Sequence, residues 1–315
     1  MQPKVYLELV RVFLTPSAMA DSYAGLLLAT AIQRDATISM WQAAAVMATS
    51  VLIYWLGMVL NDLFDREKDL KGAPLRPIPS GRISVPAVVR LAISLGGAAL
   101  LVSIYLKTAP LTAALMLSVL LYDRGCKDLP FVGNVLMGLC RGLNFLLGSA
   151  AVLGMEGLPR EEVILGALVL TGYVTGVTAV SRIEEAPFAP RSFALRATPI
   201  LLVPVLLVLC EPGEKLGWLN GSLLTLLLLD AIRAGWRAGK AEAGAGPATG
   251  GWRAHGAALF VGKALGGIFL VDAGIVIALS PVAAQKIQAV CTLYILLAVL
   301  WLWRRRATRG VGEQS

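Results

Sequence analysis

The feature that most restricts this chain is its alternation of long apolar runs with short polar turns. A helix that crosses a bilayer needs roughly 20 mostly apolar residues. Runs of this kind occupy 9–32, 41–60, 86–106, 110–123, 131–154, 162–180, 196–210, 216–236, 256–280 and 285–303. Two of them, 110–123 and 196–210, are short for full spans and read as tilted, extended or re-entrant segments. Backbone polar groups in hydrocarbon must be satisfied internally, so such runs form helices. The expected fold class is all-α, a polytopic membrane helical bundle in which residues 1–315 form a single domain. Composition agrees: 57% of the residues are hydrophobic and 15% are charged, against roughly 25% charged in a soluble domain.

The net charge of +8 would suggest nucleic acid in a soluble protein. Here the basic residues lie in short loops between apolar runs, which is a membrane-orientation signal, and no nucleic-acid partner is expected. With ten spans and the N-terminus inside, 21 of the 28 Lys and Arg residues fall in inside segments and five in outside segments. The expectation is a multi-pass protein of a bacterial inner membrane, contacting membrane lipids, with both termini and the loop after residue 60 in the cytoplasm. The start MQPKVYLELVRVFL lacks the basic n-region and small-residue cleavage site of a signal peptide. The stretch 237–255, rich in Gly and Ala, reads as a flexible cytoplasmic loop, and 304–315 as a basic cytoplasmic tail. Cys126, Cys140, Cys210 and Cys291 are widely separated and suggest neither a disulfide framework nor a zinc site.

The chemistry concentrates where the second run meets water, in Asn61-Asp62-Leu63-Phe64-Asp65-Arg66-Glu67-Lys68-Asp69, followed by Arg76-Pro77-Ile78-Pro79-Ser80-Gly81-Arg82. Asp62, Asp65 and Asp69 are spaced i, i+3, i+7, which puts three carboxylates on one face if the helix continues. Like charges on one face need an offset. A hard divalent cation such as Mg2+ supplies it, and bridges carboxylates to phosphates. The plainer alternative is a solvated helix end whose acids pair with Arg66, Lys68 and Lys71.

Both parts of this stretch resemble the first signature of the UbiA superfamily of intramembrane prenyltransferases, Asn-Asp-x-x-Asp-x-x-x-Asp followed by a basic Arg-Pro-x-Pro-Ser-Gly loop. The resemblance implies helices around a central cavity open to the cytoplasm and to lipid. The family is usually described with nine helices, so the expected number is nine or ten. It implies Mg2+-dependent transfer of an isoprenyl group from an isoprenyl diphosphate to an acceptor, with release of pyrophosphate. The acceptor, the prenyl length and the oligomeric state are not readable. Asp62, Asp65 and Asp69 become candidate metal ligands and catalytic residues, with Asn61 assisting.

Further candidates follow from the same resemblance. Arg11 and Asp21…Gly25 match a pattern in the first helix; a charge inside a membrane segment is a functional candidate, although Arg11 could instead snorkel to the interface. Tyr122, Lys127 and Pro130 match a junction after the fourth run, where Lys127 would grip the diphosphate, unless it is an ordinary loop charge, and Tyr122 would line the prenyl channel. Arg141 and Asn144 lie one turn apart in the fifth run, and a buried arginine needs partners. Arg82 and Arg141 would help neutralise the departing pyrophosphate, and Tyr122, Phe145 and Tyr173 would line a dry pocket for the allylic cation.

The pattern departs at the second expected motif, Asp-x-x-x-Asp. The chain has Ser181-Arg182-Ile183-Glu184-Glu185 there. This resembles the Ser-Arg-x-Glu form of a divergent, EboC-like branch. Glu184 or Glu185 could hold an ion, Arg182 could contact the diphosphate directly, or Arg182 and Glu185 could form a helix-end pair of little value. A weakened second motif also fits a non-catalytic isoprenoid- or lipid-carrier-binding protein, or a transporter, that uses the acidic site for recognition.

Overall fold

The computed structural model describes residues 3–34, 36–182, 190–210, 215–244, 255–283 and 286. Twelve α-helices are formed by these residues: α1 Pro3–Leu9, α2 Thr15–Ile32, α3 Met40–Phe64, α4 Arg66–Gly72, α5 Val85–Tyr105, α6 Ala109–Arg124, α7 Pro130–Leu153, α8 Glu161–Ser181, α9 Pro190–Ala197, α10 Leu202–Cys210, α11 Lys215–Gly244 and α12 His255–Leu279. Among the described residues, eight segments are long and apolar enough to cross a membrane. The short run at 110–123 is α6, which packs against α3, α5 and α7 within the bundle. The short run at 196–210 joins α9 and α10 through a 3-10 turn, Thr198–Leu201, and together they make the span Ser192–Cys210. Pro199 and Pro204 explain the irregularity, because each removes a backbone donor from the helical ladder. The run at 285–303 and the tail 304–315 lie outside the described residues, apart from Lys286.

Local chemistry sets the helix starts. Ser39 opens α3 with a capping box: its hydroxyl accepts from the Gln42 N–H at 3.1 Å, and the Gln42 amide oxygen accepts from the Ser39 N–H at 3.0 Å. Pro16, Pro86 and Pro110 stand in the first turn of α2, α5 and α6, where a missing N–H costs nothing. α11 continues to Gly244, so residues 237–244 of the expected loop are helical. Ala238, Lys240, Ala241, Glu242 and Ala243 are strong helix formers, and they outweigh the glycines. Residues 245–254 of that loop lie outside the described residues.

α2 and α12 are the most enclosed spans and pack on one another. Around them α7, α8, α10 and α11 build most of the main core, and α3, α5, α6 and α9 add buried side chains to it. Large apolar side chains such as Ile93, Leu101, Leu168, Leu206 and Leu226 point outward, as a lipid-facing surface requires. α2 and α7 approach to backbone contact: a Cβ added at Gly25 would strike the Phe145 carbonyl, and one at Gly148 the Ser22 carbonyl. Ser149 donates to the Gly25 carbonyl at 3.0 Å across the same seam.

A smaller core joins α1, α3 and α5 and takes in Ile78 and Ile83 of the basic loop. These two side chains anchor the loop over the end of α3, and Gly81 turns it with a left-handed φ of 70°. That anchoring is what brings Arg76 to the acidic residues.

Candidate active site

The i→i−4 ladder continues across the end of α3: the Asp65 N–H donates to Asn61 and the Asp69 N–H to Asp65, at 3.0 and 2.8 Å. The helix bends at Asp65, where ψ is 1°, and α4 starts on the next residue. The carboxylates turn to cations brought from elsewhere in the chain. Asp62, buried, receives Arg11 Nη2 at 3.0 Å and lies 3.8 Å from Arg76 Nη1. Asp69, also buried, receives the same Arg76 nitrogen at 2.6 Å. Asp65 pairs with Lys127 Nζ at 2.7 Å, and Lys127 also donates to Asn61 Oδ1 at 3.3 Å. The sequence's bland pairing partners are not these: Arg66 reaches Glu67 at 3.8 Å, on the exposed side.

Backbone conformation helps place Arg11. It occupies the left-handed region, φ 47° and ψ 53°, between α1 and the short 3-10 turn Val12–Leu14, a state that costs an ordinary residue about 1–2 kcal/mol. Its carbonyl accepts from the Tyr54 hydroxyl at 3.4 Å, and its guanidinium reaches Asp62.

Next to this cluster lies a cavity of about 310 Å³. It follows α3 inward from Asn61 to Ser50, about 16 Å at 1.5 Å per residue. Its walls are largely apolar, with Ile53, Met58, Leu115, Val119, Met137 and Leu265, and carry Tyr54 and Tyr122. Phe145 and Tyr173, expected as liners, are fully buried in helix packing, and the Tyr173 hydroxyl donates to the Ala264 carbonyl at 2.7 Å.

Arg141 and Asn144 also line the cavity, deeper than the acidic cluster. Arg141 Nη1 pairs with buried Asp21 at 2.8 Å, and Nη2 donates to Ser17 Oγ at 3.0 Å. Asn144 Nδ2 donates to Asp21 at 3.2 Å and to the Ala18 carbonyl at 2.8 Å, which Ser50 Oγ meets at 2.7 Å. Asp272 of α12 is buried and faces Asp21 and Arg141, and no N–H donates to either of its carboxyl oxygens among the described residues.

Two expected contacts take other forms. Arg82 forms a two-pronged pair with Glu8 of α1, at 2.7 and 2.8 Å, and also donates to the Leu75 carbonyl. Arg182 donates to Asn134 Oδ1 at 2.6 Å and to the carbonyls of Lys127 and Leu129, so it grips the turn that carries Lys127. Glu184 and Glu185 lie outside the described residues. Sequence reasoning passed over Arg76, Tyr54 and Asp123 as site residues, and left Asp272 open between pairing with Asp230 or Lys263 and closing the cavity; Lys263 pairs with Asp230 instead. The signal for Arg76 was present, as the first residue of the basic loop motif.

Among the described residues, no three Asp, Glu, His or Cys side chains are grouped closely enough to hold a metal ion together. The donors nevertheless suit a hard cation. They are carboxylate oxygens, and Asp62 and Asp69 already converge on one positive group, the Arg76 nitrogen. A divalent ion could replace that nitrogen if Arg76 turned to a bound phosphate.

An all-helical membrane bundle with an ion-paired acidic cluster beside an apolar cavity defines a small class of proteins. The chain belongs to the UbiA prenyltransferase family, whose model matches residues 22–231. It is 34% identical over 157 residues to the digeranylgeranylglyceryl phosphate synthase of Sulfolobus acidocaldarius, a match covering 48% of this chain and 54% of that protein. The chain spans little more than half the length of the first curated relatives it matches. Its fold resembles that of a UbiA homologue from Aeropyrum pernix K1, with TM-score 0.63 and 14% identity over 83% of this chain and 96% of the other. It also resembles a UbiA homologue from Archaeoglobus fulgidus solved with DMAPP and Mg2+, with TM-score 0.55 and 15% identity over 84% of this chain and 98% of the other.

Proposed function

We propose that this chain is a Mg2+-dependent intramembrane prenyltransferase. It moves an isoprenyl group from an isoprenyl diphosphate to a hydroxyl-bearing acceptor and releases pyrophosphate. The observation that carries the reading is the convergence of Asp62, Asp65 and Asp69 with Arg11, Arg76 and Lys127 beside an apolar cavity. The carboxylates suit Mg2+ and the cations suit a diphosphate.

In this reading Asp62, Asp65 and Asp69 would hold the ion, with Asn61 as a neutral oxygen donor beside them. Bound Mg2+ would neutralise charge on the leaving diphosphate. Lys127, Arg76 and Arg11 would leave their carboxylates for the phosphate oxygens as the donor enters. Electrostatic stabilisation of a leaving group is often the largest catalytic contribution. The prenyl chain would lie along α3 in the cavity, where Tyr54 and Tyr122 shield the allylic carbon from water. Arg141, held by Asp21, would meet the polar end of the acceptor or the donor's deeper groups. The names of the relatives make geranylgeranyl diphosphate the first donor to try and a glyceryl phosphate ether the first acceptor. The loop charges support a cytoplasm-facing site in a bacterial inner membrane.

The test is Mg2+-dependent pyrophosphate release from geranylgeranyl diphosphate by purified protein, with membrane lipid extract as acceptor source. Asp65→Asn is expected to abolish both release and Mg2+-dependent binding of the diphosphate while leaving the unfolding midpoint unchanged. Tight binding without release by the unaltered protein would instead make it a carrier or transporter. Unchanged diphosphate binding in the variant would sink the metal-site assignment.

A further inference from the structure

Asp123, in the last turn of α6, lies on the wall of the cavity, next to Tyr122 and facing Cys140 of α7. It is 4% exposed. Among the described residues that line the cavity it is the one carboxylate. Asp62, Asp65 and Asp69 are each committed to a cation, whereas Asp123 makes no hydrogen bond or ion pair with any described residue. Its carboxyl oxygens are not among the fully enclosed polar atoms that lack a partner, so they open onto the cavity it lines, where an incoming group can reach them. The charges that act on it are Lys127 and Arg11, of opposite sign, and Asp65 and Asp62, of like sign, so it borders the acidic cluster from the cavity side.

We propose that Asp123 is the general base for the acceptor, an inference that rests on the prenyltransferase reading above. The acceptor's hydroxyl oxygen forms a bond to the first carbon of the isoprenyl group. The bond from that carbon to the diphosphate oxygen breaks, and its electron pair leaves with pyrophosphate. The hydroxyl proton passes to the Asp123 carboxylate and later to water. The three paired aspartates serve the donor, and the unpaired carboxylate that lines the cavity serves the acceptor. A base needs a free lone pair within reach of the nucleophile, and Asp123 has one on the cavity wall.

Radiolabelled geranylgeranyl diphosphate, membrane lipid extract and Mg2+ give the transfer assay; Mn2+ titration by electron paramagnetic resonance and diphosphate titration by calorimetry give two binding readouts. No transfer by the unaltered protein would overturn the proposed function and this inference with it. With transfer established, Asp123→Asn is expected to lose on the order of 100-fold or more in rate, with Mn2+ and diphosphate affinities kept. Asp123→Gly is expected to regain transfer as sodium formate is added, because a small carboxylate can fill the space and take the proton; a structural defect would not respond to formate. Transfer close to that of the unaltered protein in Asp123→Asn would overturn the assignment. So would loss of Mn2+ or diphosphate binding, which would place Asp123 with the donor. Absence of formate rescue in a glycine variant that still binds diphosphate would also overturn it.

Discussion

Two turns at the same end of the bundle use charge in opposite ways. After α3 the chain offers three carboxylates, and each is met by a cation from a distant segment: Arg11 from before α2, Arg76 from the basic loop and Lys127 from the turn after α6. After α8 the residue at the corresponding place is Arg182, and its guanidinium goes to Asn134 and to backbone carbonyls of the Lys127 turn. The first turn holds charges that a ligand can redistribute. The second holds the scaffold, because hydrogen bonds to main-chain carbonyls cannot be exchanged for phosphate without releasing the turn. Arg182 thereby makes a mechanical link between the two turns, with Lys127 as the shared point.

The sharpest way to break this contrast is at Lys127. Lys127→Ala leaves Asp65 without its cation and Asn61 without its donor, and diphosphate affinity is expected to fall by about 100-fold, the value of a lost charge-assisted hydrogen bond near 2–3 kcal/mol. Calorimetric titration checks it. Arg182→Ala should act through the same turn and cost about 10-fold. Combined with Lys127→Ala it should add little, since two residues in one network are not independent. A fully additive double variant would show that Arg182 touches the diphosphate itself, and the contrast would fail. The smallest effect is expected at Arg82, whose pair with Glu8 is exposed. Arg82→Ala should change stability by less than about 1 kcal/mol and leave the affinity within about twofold, measured by thermal unfolding and the same titration.

The helices themselves were legible, because hydrocarbon leaves the backbone few choices. The spacing of Asp62, Asp65 and Asp69 was legible for a related reason: helical periodicity carries one residue to the next across the bend at Asp65. Lys127 could be nominated from its position. Arg76 could not be ranked above Arg82, because the reach of a loop arginine depends on how Ile78 and Ile83 seat the loop, which is a tertiary matter. Asp21 and Arg141 each announced a need for a partner inside the membrane, but their pairing depends on the register of α2 against α7. Phe145 and Tyr173 illustrate the converse difficulty: an inward aromatic on a helix meets either a cavity or a neighbouring helix, and the sequence pattern is the same. Asp123 was hidden beside Tyr122 in a motif read for its other members.

The contact of α2 with α7 has a mechanical meaning beyond packing. Where Gly25 meets the Phe145 carbonyl and Gly148 meets the Ser22 carbonyl, neither helix can slide or roll without one main chain entering the other. The pair acts as the fixed jaw of a vice, with Asp21 and Arg141 mounted on its inner face. Any widening of the cavity must then be the work of the opposite jaw, α3 and α6, whose side chains face the cavity across from that seam.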